Sequence, residues 1–205
     1  MISEFILTGL LQSLILAFVA FGVMISFRLI NFPDLSAEGS YPIGGVVCAI
    51  LLLHNSSPEF AIIGGALIAG CVGFGTAIIA IYLRINSLLA GIIMSTMVYS
   101  INLRLLKKPN VGLFDNSSIF LYCDDIWCKI ALVIILILVL AGLLYLFLKT
   151  EIGVCLRSIG LNPDFAMRQG IDVSRYTICT LFISNAACGF AGALMVQMQK
   201  YLNLD

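Results

Sequence analysis

Two carboxylates, Asp34 and Glu38, stand four residues apart in "FPDLSAEGSYPIGG" (Phe32 to Gly45), between stretches of almost unbroken apolar sequence. Acids that face lipid are costly, so each needs a partner, a watery cavity or a loop in solvent. Pro33, Gly39 and Pro42 surround them and disfavour helix. The residues therefore predict non-helical backbone at or near membrane depth, a geometry tolerated where it is buried in protein or lines a cavity. Interrupted and shortened helices of this kind recur at transport sites. An ordinary solvated loop between two spans fits the same residues.

A second stretch, "RSIGLNPDFAMRQGIDVSRY", carries helix-end chemistry. Asn162 is an N-cap, Pro163 suits the first helical position, Asp164 complements the N-terminus, and Gly170 terminates. The spacing predicts a two-turn helix from Pro163 to Gln169, too short to be stable alone. Phe165 and Met167 offer apolar contact, and Arg157, Arg168 and Arg175 offer charge. Such a helix either docks in a groove on a partner at the membrane surface or is a solvated connector.

Other chemistry is sparse. Five of the seven cysteines (Cys48, Cys71, Cys155, Cys179, Cys188) lie in or beside apolar segments, where cysteine behaves as a small hydrophobe. Cys123 and Cys128 form the one close pair; a disulfide is open to them in an oxidising compartment, and with His54 as the single histidine a metal site lacks ligands. No Walker A, nucleophile elbow, HExxH or dinucleotide fingerprint is present. Ser95, Thr96, Tyr99 and Asn102 recur at helical spacing and fit a cavity wall. Ser184, Asn185 and Gln197 are polar groups that more often join membrane helices together. No enzyme chemistry, cofactor or metal is called for.

The elements that must hold these residues follow from composition. Hydrophobic residues make up 61% of the 205 and charged residues 11%, against about a quarter in soluble domains. Mean hydropathy is +1.10. This is the composition of an integral membrane protein, and a balance of eleven basic and eleven acidic residues argues against a nucleic-acid partner. The opening apolar run is longer than a signal-peptide core and lacks its flanks, so it reads as a retained span. Spans of about 20 apolar residues are expected near Phe5–Phe27, Phe60–Leu83, Ser87–Leu103, Ile130–Leu148 and Tyr176–Met198, with a short one at Ile43–Leu53. Lys149–Arg175 reads as a polar loop. Placing it in the cytoplasm groups Arg28, Arg84, Lys149, Arg157, Arg168 and Arg175 on that side, against Arg104, Lys107, Lys108, Lys129 and Lys200 opposite. The N-terminus and the Cys123/Cys128 loop are then outside. Small residues at Gly65, Ala69 and Gly73, and at Gly189, Gly192 and Ala193, suit close helix packing.

Taken together, "FPDLSAEGSYPIGG", the Gly-rich third span, "INSLLAGIIMSTMVYSINLR" and "EIGVCLRSIGLNPDFAMRQGI" resemble the permease subunits of ABC importers of the branched-chain amino-acid type. Within that family the chain is most similar to the branch associated with tryptophan, tyrosine and little-characterised substrates. The resemblance implies an all-α polytopic bundle of about six spans, with a broken second span and a short cytoplasmic coupling helix. It covers nearly the whole chain, read as one permease unit over residues 1–205. It places Asp34, Ser36, Glu38 and Gly39 at the edge of the translocation pathway, with Ser95, Tyr99 and Asn185 as further candidates. It assigns Arg157, Gly160, Asn162, Pro163, Asp164, Phe165, Ala166, Arg168 and Gly170 to coupling with a cytoplasmic ATPase. Whether Asp34 and Glu38 touch solute or cap a broken helix is left open. The implied partners are two ATPase subunits, an extracytoplasmic solute-binding protein and a second permease copy in the inner membrane. Family members continue past the sixth span, so a C-terminally incomplete chain is expected. A stand-alone carrier or channel, or a non-transporting remnant, are the rival readings.

Overall fold

The computed structural model describes residues 2–106, 110–114, 118–122 and 125–203. Its architecture is helical. Five helices have the length and apolarity of membrane spans: α1 (Ile2–Met24), continued by a π-helical turn over Ile25–Leu29, then α3 (Pro58–Tyr82), α4 (Ser87–Leu106), α5 (Ile126–Lys149) and α8 (Val173–Gln199). A shorter apolar helix, α2 (Ala37–Leu53), completes the expected six. Each long helix coincides with an apolar run, because a segment in lipid must satisfy its backbone internally. Pro58 opens α3 at its first turn, and the Asp172 carboxylate accepts from the Arg175 amide to cap α8. The Cys123/Cys128 pairing lies outside the described residues.

The connections sort to two ends. At one, strands β1 (Asn110–Gly112) and β2 (Tyr201–Asn203) pair antiparallel. There the Gln197 side chain accepts from the Ile119 amide at 3.0 Å and donates to the Pro58 carbonyl at 2.9 Å. At the other end lie the π-helical turn, Arg84 and the Lys149–Arg175 stretch. That stretch is no loop. It folds into α6 (Glu151–Leu161) and α7 (Pro163–Arg168), which rest on Ile25, Leu29 and Leu181 through Leu156, Ile159 and Ala166. Thr150 caps α6, with Gly153, Gly160 and Arg157 disguising its apolar face in the sequence.

The core is a glycine seam among α2, α3 and α8. A Cβ on Gly44 would collide with the backbone of Gly189, one on Gly189 with Ala69, and one on Gly192 with the Tyr41 carbonyl. The backbones are therefore in contact, and dispersion at that range replaces the hydrophobic drive that lipid removes. A paired substitution checks this. Gly142→Ala in α5 meets nothing within 4 Å and should be neutral or raise the detergent-phase unfolding midpoint, since Ala is the better helix former by about 1 kcal/mol. Gly192→Ala, the same chemical change, should lower it, with an overpacking cost of about 1–3 kcal/mol. Shifts of the same sign would mean the seam yields.

Candidate functional site

The break between α1 and α2 is short and held at both edges. The Phe32 amide donates to the Ser26 carbonyl in the π-helical turn at 3.1 Å. Asn31 takes a positive φ of 50°, which Asn tolerates better than most residues. Asp34 then acts as a turn residue, one carboxylate oxygen accepting from the Ser36 amide at 2.8 Å. Helix starts at Ala37, earlier than the sequence suggests. Gly39 and Pro42 lie inside α2 and do not break it. Pro42 falls in the second turn, where its missing N–H costs one bond near a helix end. Gly39 is a contact point: a Cβ there would stand 2.9 Å from the Ser95 Cα of α4.

Asp34, Ser36 and Asn185 come together, joined by Ser40. The second Asp34 oxygen accepts from Asn185 Nδ2 at 2.8 Å, and that amide also donates to the Leu181 carbonyl at 3.0 Å. Asn185 Oδ1 accepts from Ser36 Oγ at 3.1 Å and Ser40 Oγ at 2.5 Å. The amide is saturated, and all four residues are buried. Gly73 makes the room, because a Cβ there would stand 2.6 Å from Asn185 Nδ2. Asn185 is 12 residues from Val173 and 14 from Gln199. At 1.5 Å per residue the node sits about 18 Å from one end of α8 and about 21 Å from the other, close to mid-depth. These residues hold the break in place, and Asp34, though buried, also borders the cleft that Glu38 lines. Ser40 was legible as the residue one helical turn after Ser36, had α2 been started at Ala37.

Glu38 behaves differently. It is exposed at the first turn of α2, in a cleft of about 350 Å³ shared with Leu16, Val19 and Tyr41. Tyr41 also lines a second cleft of about 330 Å³, with Pro42, Tyr99, Gln199 and Tyr201. On α4, Tyr99 and Thr96 are exposed and Ser95 half-buried. The Ser95 and Thr96 hydroxyls bond carbonyls of their own helix, at 3.0 Å from Ser95 to Ile92 and 2.8 Å from Thr96 to Ile93. Asn102 turns inward and is buried. An exposed acid near mid-depth is incompatible with lipid, so this face of α2 adjoins water or protein.

At the far end the predicted short helix forms over Pro163–Arg168. Asn162 Oδ1 accepts from the Phe165 amide at 3.1 Å, and Gly170 takes φ +82°. Arg157 donates to the Leu148 carbonyl at the end of α5. A Cβ on Gly160 would strike the Leu29 carbonyl, so α6 lies directly on the π-helical turn. Ala166 is 0% exposed and seats α7 on its own bundle; it cannot reach a partner. Thus Arg157, Gly160, Asn162, Pro163, Ala166 and Gly170 build and seat the helix. The outward surface at this end consists of Leu161 (88% exposed) at the end of α6 and Phe165 (55%) and Met167 (53%) of α7, with Asp164 and Arg168. Leu161 was missed, since its direction depends on α6.

Among known proteins, the family described as "Branched-chain amino acid transport system / permease component" matches residues 5–205. A tyrosine transport system permease protein of Clostridioides difficile is 37% identical over 98% of this chain and 67% of its own length. An uncharacterised protein of Rickettsia prowazekii is 31% identical over 98% of this chain and 70% of its own. A branched-chain amino acid transport permease protein of Methanocaldococcus jannaschii is 28% identical over 96% and 67%. No solved structure matches the chain.

Proposed function

This chain belongs to the branched-chain amino acid transport permease family, and from that premise we propose that it is the membrane subunit of an ABC importer carrying an amino acid inward, by alternating access. The observation that carries the reading is one continuous path of contact. α7 presents an exposed apolar surface and is seated beside α6, α6 rests through Gly160 on Leu29, and the π-helical turn leads by five residues to the Asp34–Asn185 node. A push on α7 thus reaches the start of α2 near mid-membrane through packed backbone. ATP hydrolysis belongs to cytoplasmic partner subunits that receive α7, and a solute-binding protein delivers at the opposite end. A second permease copy covers the Glu38 face, which lipid cannot. The tyrosine-transporting relative and the cleft of Tyr41, Tyr99 and Tyr201 favour an aromatic solute, since stacked rings reward one another.

The test is uptake of labelled tyrosine and leucine into proteoliposomes containing the chain with its co-purified ATPase. Uptake should require ATP on the α7 side, favour tyrosine, and survive Glu38→Gln without becoming pH-dependent. Uptake driven by a proton gradient alone, and lost in Glu38→Gln, would replace the importer by a proton-coupled carrier.

A further inference from the structure

We infer that the end of the bundle opposite α7 carries a binding site for the phosphate of an anionic phospholipid. Between the starts of α1 and α5 and the end of α8 lies a cleft of about 290 Å³, lined by Thr8, Ser118, Phe120, Lys129, Gln197 and Lys200. Among the described residues neither lysine enters an ion pair. Ser118 is 3% exposed and lines the cleft, and among the described residues its buried hydroxyl has no hydrogen-bond partner. A buried unmatched donor costs about 1–3 kcal/mol, so such groups call for an explanation. Two lysines and a serine lining one cleft offer a donor set for an oxyanion, whose oxygens only accept.

The surroundings choose the source of that anion. The neighbouring hydroxyl and amide are already engaged, Thr8 by the Glu4 carbonyl and Gln197 by Ile119 and Pro58. Trp127, the sole tryptophan, stands exposed in the first turn of α5, with Leu121 and Phe5 exposed nearby. Aromatic residues gather at the headgroup level, so the cleft opens at the membrane–water boundary. Beyond it α5 presents Ile134, Ile135 and Leu138 outward, a surface for acyl chains. A headgroup phosphate seated between Lys129 and Lys200 would leave its tails on that surface.

Trp127 makes the site readable without transport. The full chain in mixed detergent–lipid micelles is titrated with bromine-labelled phosphatidylglycerol or phosphatidylcholine, and tryptophan quenching is followed. A preference of about thirtyfold for the anionic lipid is expected from two basic residues. It should weaken with salt, fall in Ser118→Ala and vanish in Lys129→Gln/Lys200→Gln, with the unfolding midpoint unchanged. Equal quenching by both lipids, or a preference that survives the double substitution, overturns the site. Displacement of phosphatidylglycerol by millimolar inorganic phosphate would overturn the lipid and assign the cleft to a soluble anion.

Discussion

Replacing Asn185 with alanine should lower the unfolding midpoint of the detergent-solubilised protein further than any other single polar substitution in the bundle. The change removes the bond to Asp34, the bond to Leu181 and the acceptor of two buried serines at once. Asp34 is left buried with only the Ser36 amide for a donor. Each buried group left unmatched costs about 1–3 kcal/mol, and losing several at once corresponds to a midpoint shift on the order of 10 °C for a chain of this size. Asp34→Asn should also cost, because both carboxylate oxygens receive N–H donors and an amide presents its own NH₂ to one of them in either orientation. The decisive comparison is the double change Asp34→Ala/Asn185→Ala. If the node acts as one unit, the double variant is no less stable than Asn185→Ala alone, since no orphaned charge remains. Additive losses would show that Asp34 owes its place to something else, and would reopen a role in contacting solute.

The second large effect concerns α7. Phe165→Asp, alone or with Leu161→Asp, should abolish co-purification of the ATPase from gently solubilised membranes and reduce ATP-driven uptake to background. The midpoint should stay put, because both side chains point away from the bundle. Central apolar anchors of an interface are each worth about 2 kcal/mol or more, a thirtyfold loss of affinity. Ala166→Asp serves as the contrast. It drives a charge into the cluster of Ile25, Leu29, Leu156, Ile159 and Leu181, so it should unseat α7 and lower the midpoint as well. An ATPase retained by the Phe165→Asp, Leu161→Asp variant would remove α7 as the contact.

The two predictions differ in how far the sequence alone supports them. The long helices were legible because an apolar run of twenty residues has few other fates. The Asn162 cap and the Gly170 stop were legible because both are local chemistry. The start of α2 was not, because Gly39 and Pro42 weaken helix only in proportion to position and packing, and the contact of Gly39 with α4 outweighs its propensity. The orientation of α7 was hidden for a related reason. Which of Phe165, Ala166 and Met167 turns inward depends on α6, and α6 itself reads as a loop with glycines and an arginine. The glycine seam lay in between: its residues were visible as small, while their mates across α2, α3 and α8 were not.

The paired strands after α4 and α8 carry a mechanical consequence. With the Gln197 bonds they clamp one end of α8 to the start of α3 and the segment before α5, whereas the other end packs on α3 and the π-helical turn and meets α7. A beam fixed at one end and loaded at the other turns about its stiffest intermediate support. Here that support is the Asn185 node, with an arm of about 18 Å to the loaded end. A rotation of about 5° there carries the loaded end through about 1.6 Å, enough to alter packing at the Gly160–Leu29 contact, where the backbones already touch. On the proposed alternating-access reading the fulcrum is the part of the molecule that would move least, and its saturated hydrogen bonds would let a small stroke at the membrane surface be delivered with little loss.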